Sequence, residues 1–127
     1  MSKPQILVID DEERIREIVR VCLTDLGGWD VITAKSGQEG LQKAKTEHPD
    51  AILLDVSMPD LDGFELVRQL QQTPSCREIP VILLTAKVLK QDRDRFEQMD
   101  IAGVITKPFN PLTLAQQVRD LLATNSD

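Results

Sequence analysis

Four short aliphatic runs in this 127-residue chain lead directly into side chains capable of chemistry. Asp10-Asp11 follow Ile6-Leu7-Val8-Ile9, Asp55 follows Ala51-Ile52-Leu53-Leu54, Thr85 follows Val81-Ile82-Leu83-Leu84, and Lys107 comes just after Val104-Ile105. If these residues share one pocket, three carboxylates about 5 Å apart repel by roughly 3 kcal/mol per pair at an effective dielectric near 20, so the pocket requires a cation. Oxygen donors favour a hard divalent ion, Mg²⁺ above all, which keeps waters to exchange for phosphate oxygens. Lys107 would add a second positive charge. A carboxylate neutralised in this way can attack phosphorus and form an aspartyl phosphate. Asp55 is the best candidate for that nucleophile because it would end the central strand. Asp10 and Asp11 open a helix and are better placed to hold the ion, and Thr85 could offer its hydroxyl to a phosphate oxygen. Without metal, one of the acids should titrate upward as part of a coupled cluster.

The elements that must position these groups follow from hydrophobic periodicity. The aliphatic runs, together with Val31-Ile32, read as five strands. Between the first two, Ile15, Ile18, Val19, Cys22, Leu23 and Leu26 fall on one helical stripe that Gly27-Gly28 ends. Ser36 and Glu39 form a capping-box pattern for a second helix bounded by Pro49. Phe64, Val67 and Leu70 mark a third helix that ends before Pro74, and Leu89, Phe96 and Met99 a sparse, polar fourth. Asn110 and Pro111 read as N-cap and first-turn proline of a fifth, with Leu114, Ala115, Val118, Leu121 and Leu122 buried.

This alternation predicts a three-layer α/β/α sandwich around a five-stranded parallel sheet, because crossover helices must cover both faces. Parallel strands bring their carboxyl ends to one edge, where ligand sites of open α/β sheets lie. The second strand ends without chemistry at Ala34-Lys35, as expected of a marginal strand in a 2-1-3-4-5 order.

Composition narrows the function further. Residues 1–127 have the length of one domain, with no linker, repeat or low-complexity tract, and the core must be aliphatic because aromatics make up 3% of residues. A net charge of −6 disfavours direct binding to a nucleic-acid backbone. No aliphatic run approaches the roughly 18 residues of a membrane span, and Met1-Ser2-Lys3-Pro4 leads into no signal-peptide core, so a cytoplasmic protein is expected. Cys22 and Cys76 have neither a CxxC spacing nor a His/Cys cluster around them and read as free thiols.

Val8-Ile9-Asp10-Asp11-Glu12, the run from Leu54 to Gly63, Leu84-Thr85-Ala86 and Thr106-Lys107-Pro108-Phe109 together resemble the receiver domain of two-component response regulators over nearly the whole chain. Each stretch is weak alone; in this order and at strand ends the set is specific. The resemblance implies a flavodoxin-like (βα)5 fold. It also implies that Asp55 accepts phosphate from a sensor histidine kinase or phosphotransfer domain. Mg²⁺ would be held by Asp11, Asp55 and the Ser57 main-chain carbonyl, with Asp10 acting through water. Lys107 would pair with the phosphoryl group, Thr85 would move toward it on activation, and the Lys107-Pro108 peptide would be cis.

Such a protein is a chemotaxis-type switch that promotes its own phosphorylation and dephosphorylation without being a turnover enzyme, and it signals by docking to a downstream target. The first helix and neighbouring loops would meet the kinase, and the face of the fourth and fifth strands with their helices would meet the target. One residue departs from the pattern: Val104 stands where receivers usually carry an aromatic coupled to the threonine. Valine is small and stiff at χ1, so activation must travel through the loop after the fourth strand or another residue. The same departure keeps open a phosphorylation-independent adaptor that retained the acidic pocket. A Mg²⁺-dependent phosphohydrolase is disfavoured, since the D-x-D of such enzymes usually follows the first strand and no cap domain is present.

Other residues have plainer explanations. Asp10 and Asp11 could simply cap a helix. Asp60 and Asp62 before Gly63 lack the full calcium-loop pattern. His48 reads as a surface or helix-end group, Cys22 as core, Cys76 as a loop residue and Trp29 as packing at the sheet margin. Ser57 and Lys87 fall near the pocket mouth, where they would either govern water access or be solvated loop residues.

Overall fold

The structure, a computed structural model, describes residues 4–56, 63–86, 94 and 97–124. Its five strands are β1 (Gln5–Ile9), β2 (Asp30–Ala34), β3 (Ala51–Asp55), β4 (Val81–Thr85) and β5 (Gly103–Thr106). They form one parallel sheet of order β2-β1-β3-β4-β5, the order expected from the blandness of the second strand's end. Four described helices cover it: α1 (Glu13–Val21), α2 (Gly37–Glu47), α3 (Gly63–Gln72) and α4 (Leu114–Thr124).

Strand alternation divides the core into the two faces that a central parallel sheet requires. Leu7, Ile9, Ile52, Leu54, Val81 and Leu83 pack with Ala44 of α2 and with Leu66, Val67 and Leu70 of α3. Ile6, Val8, Leu53, Ile82, Leu84 and Ile105 pack with Val19 of α1 and with Leu114, Ala115 and Val118 of α4. Every residue of β3 and β4 is buried. Each fully buried Leu or Ile contributes roughly 1.5–3 kcal/mol, which is why the continuous aliphatic runs mark the central strand β3 and its neighbour β4 so clearly.

The helix ends show where local chemistry acted as expected and where it did not. The predicted N-cap of α2 is formed, with Glu39 N–H donating to Ser36 Oγ at 3.1 Å, while Glu39 Oε1 reaches one residue past the N-cap and accepts from Lys35 N–H at 3.0 Å. His48 closes the helix in the left-handed conformation at φ 48°. The first helix departs from its predicted stripe. After Val21 it widens into a π turn, Cys22–Leu26, and Leu26 is 54% exposed. Bonding from i to i+5 rotates each following side chain back around the axis, so Cys22 and Leu23 stay buried while Leu26 turns outward.

Asn110 does cap, accepting from Leu112 N–H at 2.9 Å, but Pro111 lies in a turn and the regular helix starts only at Leu114. Where a helix is expected between β4 and β5, Gln98 N–H donates to Asp94 C=O in a helical contact at 3.3 Å. Leu89 and Phe96 lie outside the described residues. Trp29 is buried beside β2 at the sheet margin. The Arg119 guanidinium stands 5.3 Å from its ring centroid and donates to Gly27 C=O at 3.1 Å. Cys76, placed in a loop by the sequence, is in the loop after α3 but is buried in the core. Among the described helices none is long and apolar enough to cross a membrane.

Candidate functional site

The chain runs from β1 to β2 on one side and then crosses to β3 on the other, so the winding reverses between β1 and β3. Ile9 pairs with Leu54, which sets Asp10 beside Asp55 just past the sheet's last rungs. Asp10, Asp11 and Asp55 each offer a carboxylate oxygen, and these oxygens lie within 4.8 Å of one another. Asp10 and Asp55 are buried, whereas Asp11 is exposed at the rim. From the far side, Lys107 Nζ comes to 3.3 Å of Asp55 Oδ2 and 3.7 Å of Asp10 Oδ2. Thr85, fully buried at the end of β4, accepts the Lys107 N–H on its main-chain oxygen at 2.8 Å, and the Lys107-Pro108 peptide is cis.

The predicted groups Asp10, Asp11, Asp55 and Lys107 therefore come together, with Thr85 on the adjacent strand end tied to the lysine's backbone. Ser57 and Lys87 lie outside the described residues, as do Asp60 and Asp62.

Burial pushes the Asp10 carboxyl from 3.8 to about 6. Its bond from Glu12 N–H and the Lys107 charge pull the other way, while the neighbouring Asp55 charge adds to the rise. Asp10 Oδ1 accepts that N–H at 2.9 Å, but Oδ2 is buried without a hydrogen bond. The plain capping explanation thus covers only half of this carboxylate. The N-cap of α1 is Glu12, which makes no side-chain cap bond. An all-oxygen donor set converging on an unsatisfied buried oxygen fits a hard divalent cation.

Next to this rim, Ile15 and Ile18 of α1 face Ala86, Pro108, Phe109 and Pro111 across an apolar cleft of about 350 Å³, with Glu12 and Lys107 also lining it. One contact at the site is absent from the sequence reading. Arg16 Nη1 donates to the main-chain carbonyl of Asp10 at 2.8 Å. Its only sequence signal is a position off the apolar stripe of α1, which most solvated arginines share.

Comparison with known proteins agrees with this geometry. A sequence model of the response regulator receiver domain matches residues 6–119. The alkaline phosphatase synthesis transcriptional regulatory protein PhoP of Bacillus subtilis is 42% identical over 118 residues, covering 93% of this chain and 48% of that protein. The chain spans about half the length of the first curated relatives it matches. The polar-differentiation response regulator DivK of Brucella ovis is 31% identical, with 92% of this chain and 94% of that protein covered. Among solved structures, the Vibrio cholerae chemotaxis protein CheY4 superposes with a TM-score of 0.88 at 32% identity, covering 95% of this chain and all of that one (100%). The receiver domain of the sensor histidine kinase PA1611 from Pseudomonas aeruginosa PAO1, which has a magnesium ion coordinated in its active-site cleft, gives 0.81 at 28% identity with 97% of each chain covered. With this strand order and this rim of acids, and with the family's sequence model matching residues 6–119, the chain belongs to the response regulator receiver domains of two-component signalling.

Proposed function

We propose that residues 1–127 act as a single receiver unit, a phosphorylation-controlled signalling switch in which Asp55 accepts a phosphoryl group from a histidine kinase or phosphotransfer domain. The observation that carries this reading is the approach of Lys107 Nζ to within 3.3 Å of Asp55 Oδ2, inside a cluster of three carboxylates. An oxygen of Asp55 attacks phosphorus, the P–N bond of the phosphohistidine breaks, and its electron pair leaves on the donor's imidazole. Later attack of water on phosphorus restores the carboxylate and releases inorganic phosphate.

Asp11, Asp55 and the Ser57 main-chain carbonyl would hold Mg²⁺, with Asp10 bound through water. When bound, the ion supplies charge neutralisation for the phosphoryl oxygens. Lys107 supplies the second positive charge, and Thr85 offers its hydroxyl to a phosphoryl oxygen. The apolar cleft between α1 and the Pro108–Phe109 segment suits an apolar helix face of the donor, and the face of β4, β5 and α4 suits the downstream target. Cytoplasmic placement follows from this role.

The experiment is intact-mass measurement after incubation with Mg²⁺ and acetyl phosphate or phosphoramidate. A single phosphoryl adduct that needs Mg²⁺ and is absent in Asp55→Asn is expected. Val104, half-buried on β5 where relatives of this type usually carry an aromatic, favours a second reading as a phosphorylation-independent adaptor. Absence of an adduct with every donor would establish that reading and overturn the first.

A further inference from the structure

Arg16 stands in the first turns of α1, three residues after the helix begins, where the helix dipole disfavours a cation. It is nevertheless half-buried, and its guanidinium reaches back six residues to bond the Asp10 carbonyl at 2.8 Å. That bond completes a set. Asp10 N–H donates to Ala34 C=O at 3.1 Å, and Asp10 Oδ1 accepts Glu12 N–H at 2.9 Å. Both backbone groups of Asp10 and one carboxylate oxygen are thereby fixed, and the oxygen left without a hydrogen bond, Oδ2, is the one near Lys107. The carbonyl that Arg16 holds belongs to the same peptide plane as the N–H of Asp11. Asp11 is exposed at the rim, so its carboxylate takes its direction from that plane.

We propose that Arg16 is a positioning residue for the cation site: by clamping the Asp10–Asp11 peptide it makes the carboxylates on either side of that peptide converge with Asp55. This rests on reading the acidic cluster as a Mg²⁺ site. Two physical effects of Arg16 oppose each other there. Its charge repels a dication, so if charge alone mattered, removing it would tighten Mg²⁺ binding. Its hydrogen bond organises the donors, and outer-shell bonds of this kind commonly change metal affinity by 10-fold or more. The clamp is the larger effect, because the guanidinium is spent on a main-chain oxygen and makes a planar, directional bond that an ammonium does not reproduce.

The test is Mg²⁺ titration of the full chain by calorimetry, comparing wild type with Arg16→Gln and Arg16→Lys. Amide chemical shifts of the metal-free proteins give a second readout. Arg16→Gln should weaken Mg²⁺ binding on the order of 10-fold, and Arg16→Lys, which keeps the charge but loses the planar guanidinium that makes the single bond, should weaken it comparably. The amide signals of Asp11 and Glu12 should move while those of β3 and β4 stay in place. Unchanged or tighter Mg²⁺ binding in Arg16→Gln, or full rescue by lysine, would overturn the proposal. If Arg16→Gln does not fold, Arg16→Lys decides by the same criterion. Failure of the wild type itself to bind Mg²⁺ would instead remove the metal-site reading, and the clamp with it.

Discussion

Lys107 and Asp55 meet at 3.3 Å although an entire strand lies between them: the lysine follows β5, the aspartate ends β3, and β4 runs through the gap. The side chain can make this reach because Thr85 at the end of β4 accepts the lysine's main-chain N–H and so anchors the base of the arm. The lysine side chain is only 19% exposed, and its ammonium also lies within ion-pair distance of Asp10. It is therefore the principal positive charge facing two buried acids among the described residues.

Lys107→Met should consequently act twice. The rate of adduct formation with phosphoramidate and Mg²⁺ should fall roughly 100-fold, the usual effect of deleting one preorganised charge partner from a reacting centre. The metal-free protein should lose about 1–3 kcal/mol at pH 7, less than for a fully buried broken pair because one acid can take up a proton. Rapid-quench mass measurement and urea unfolding read the two effects. An unchanged adduct rate would remove Lys107 from the site.

Asp10 makes metal-free stability depend on pH in a defined direction. Its folded value of about 6 lies above the ordinary 3.8, so between those values the native state binds more protons than the unfolded chain. Stability from this group is therefore lost as pH rises through that window and does not return above it, a loss on the order of 2 kcal/mol. Urea midpoints of wild type minus those of Asp10→Asn, taken at pH 4 and pH 7, isolate the effect from other carboxylates. Wild type should be the relatively weaker protein at pH 7, and millimolar Mg²⁺ should narrow the gap. A difference that does not vary with pH would contradict this account.

Gly63 opens α3 against the residue that follows Asp55. A Cβ there would lie 2.6 Å from Val56 Cα, a backbone atom that no rotamer change can move away. Gly63→Ala should cost about 1–3 kcal/mol by overpacking, and it should also slow adduct formation because the displaced backbone adjoins Asp55. Thermal unfolding and the phosphoramidate assay check both, and wild-type behaviour in each would show that the helix shifts freely.

Arg119 fastens α4 to the opposite margin, over the Trp29 ring and onto Gly27 C=O. Arg119→Ala should change the emission of Trp29, the single tryptophan. Stability should fall by about 0.5–1 kcal/mol, as for an exposed cation–π contact. Adduct formation should stay within roughly two-fold of wild type, since this contact adjoins β2 and the reacting groups follow β1, β3 and β5. A larger loss of rate would mean that this margin communicates with the acids.

What could be read from the sequence depended on how local each determinant was. The runs Ile52-Leu53-Leu54 and Val81-Ile82-Leu83-Leu84 identify buried parallel strands because both faces of such a strand need aliphatic cover, and both segments are strands. The Ser36–Glu39 cap is a contact across three residues and was equally plain. Leu26 misled because nothing in its own side chain signals the change from i+4 to i+5 bonding at the end of the first helix. The strand-end acids and Lys107 could be grouped because topology alone brings parallel carboxyl ends to one rim. Arg16 could not be found in this way: its partner is a main-chain carbonyl, which leaves no mark in the amino-acid alphabet. Ser57, Lys87, Leu89 and Phe96 fall outside the described residues.

The arm that carries the ammonium springs from the outermost strand of the sheet, so the electrical condition of the interior is exposed to anything that grips that border. Thermodynamic reciprocity then makes the border a lever as well as a gauge. A protein that prefers one placement of β5 must alter the grip of the acids on a dication by the same factor with which the dication alters its own binding. A downstream target docked on this border, as proposed above, would thus be a co-ligand of the metal, and adding it should shift the midpoint of a magnesium titration rather than leave it in place.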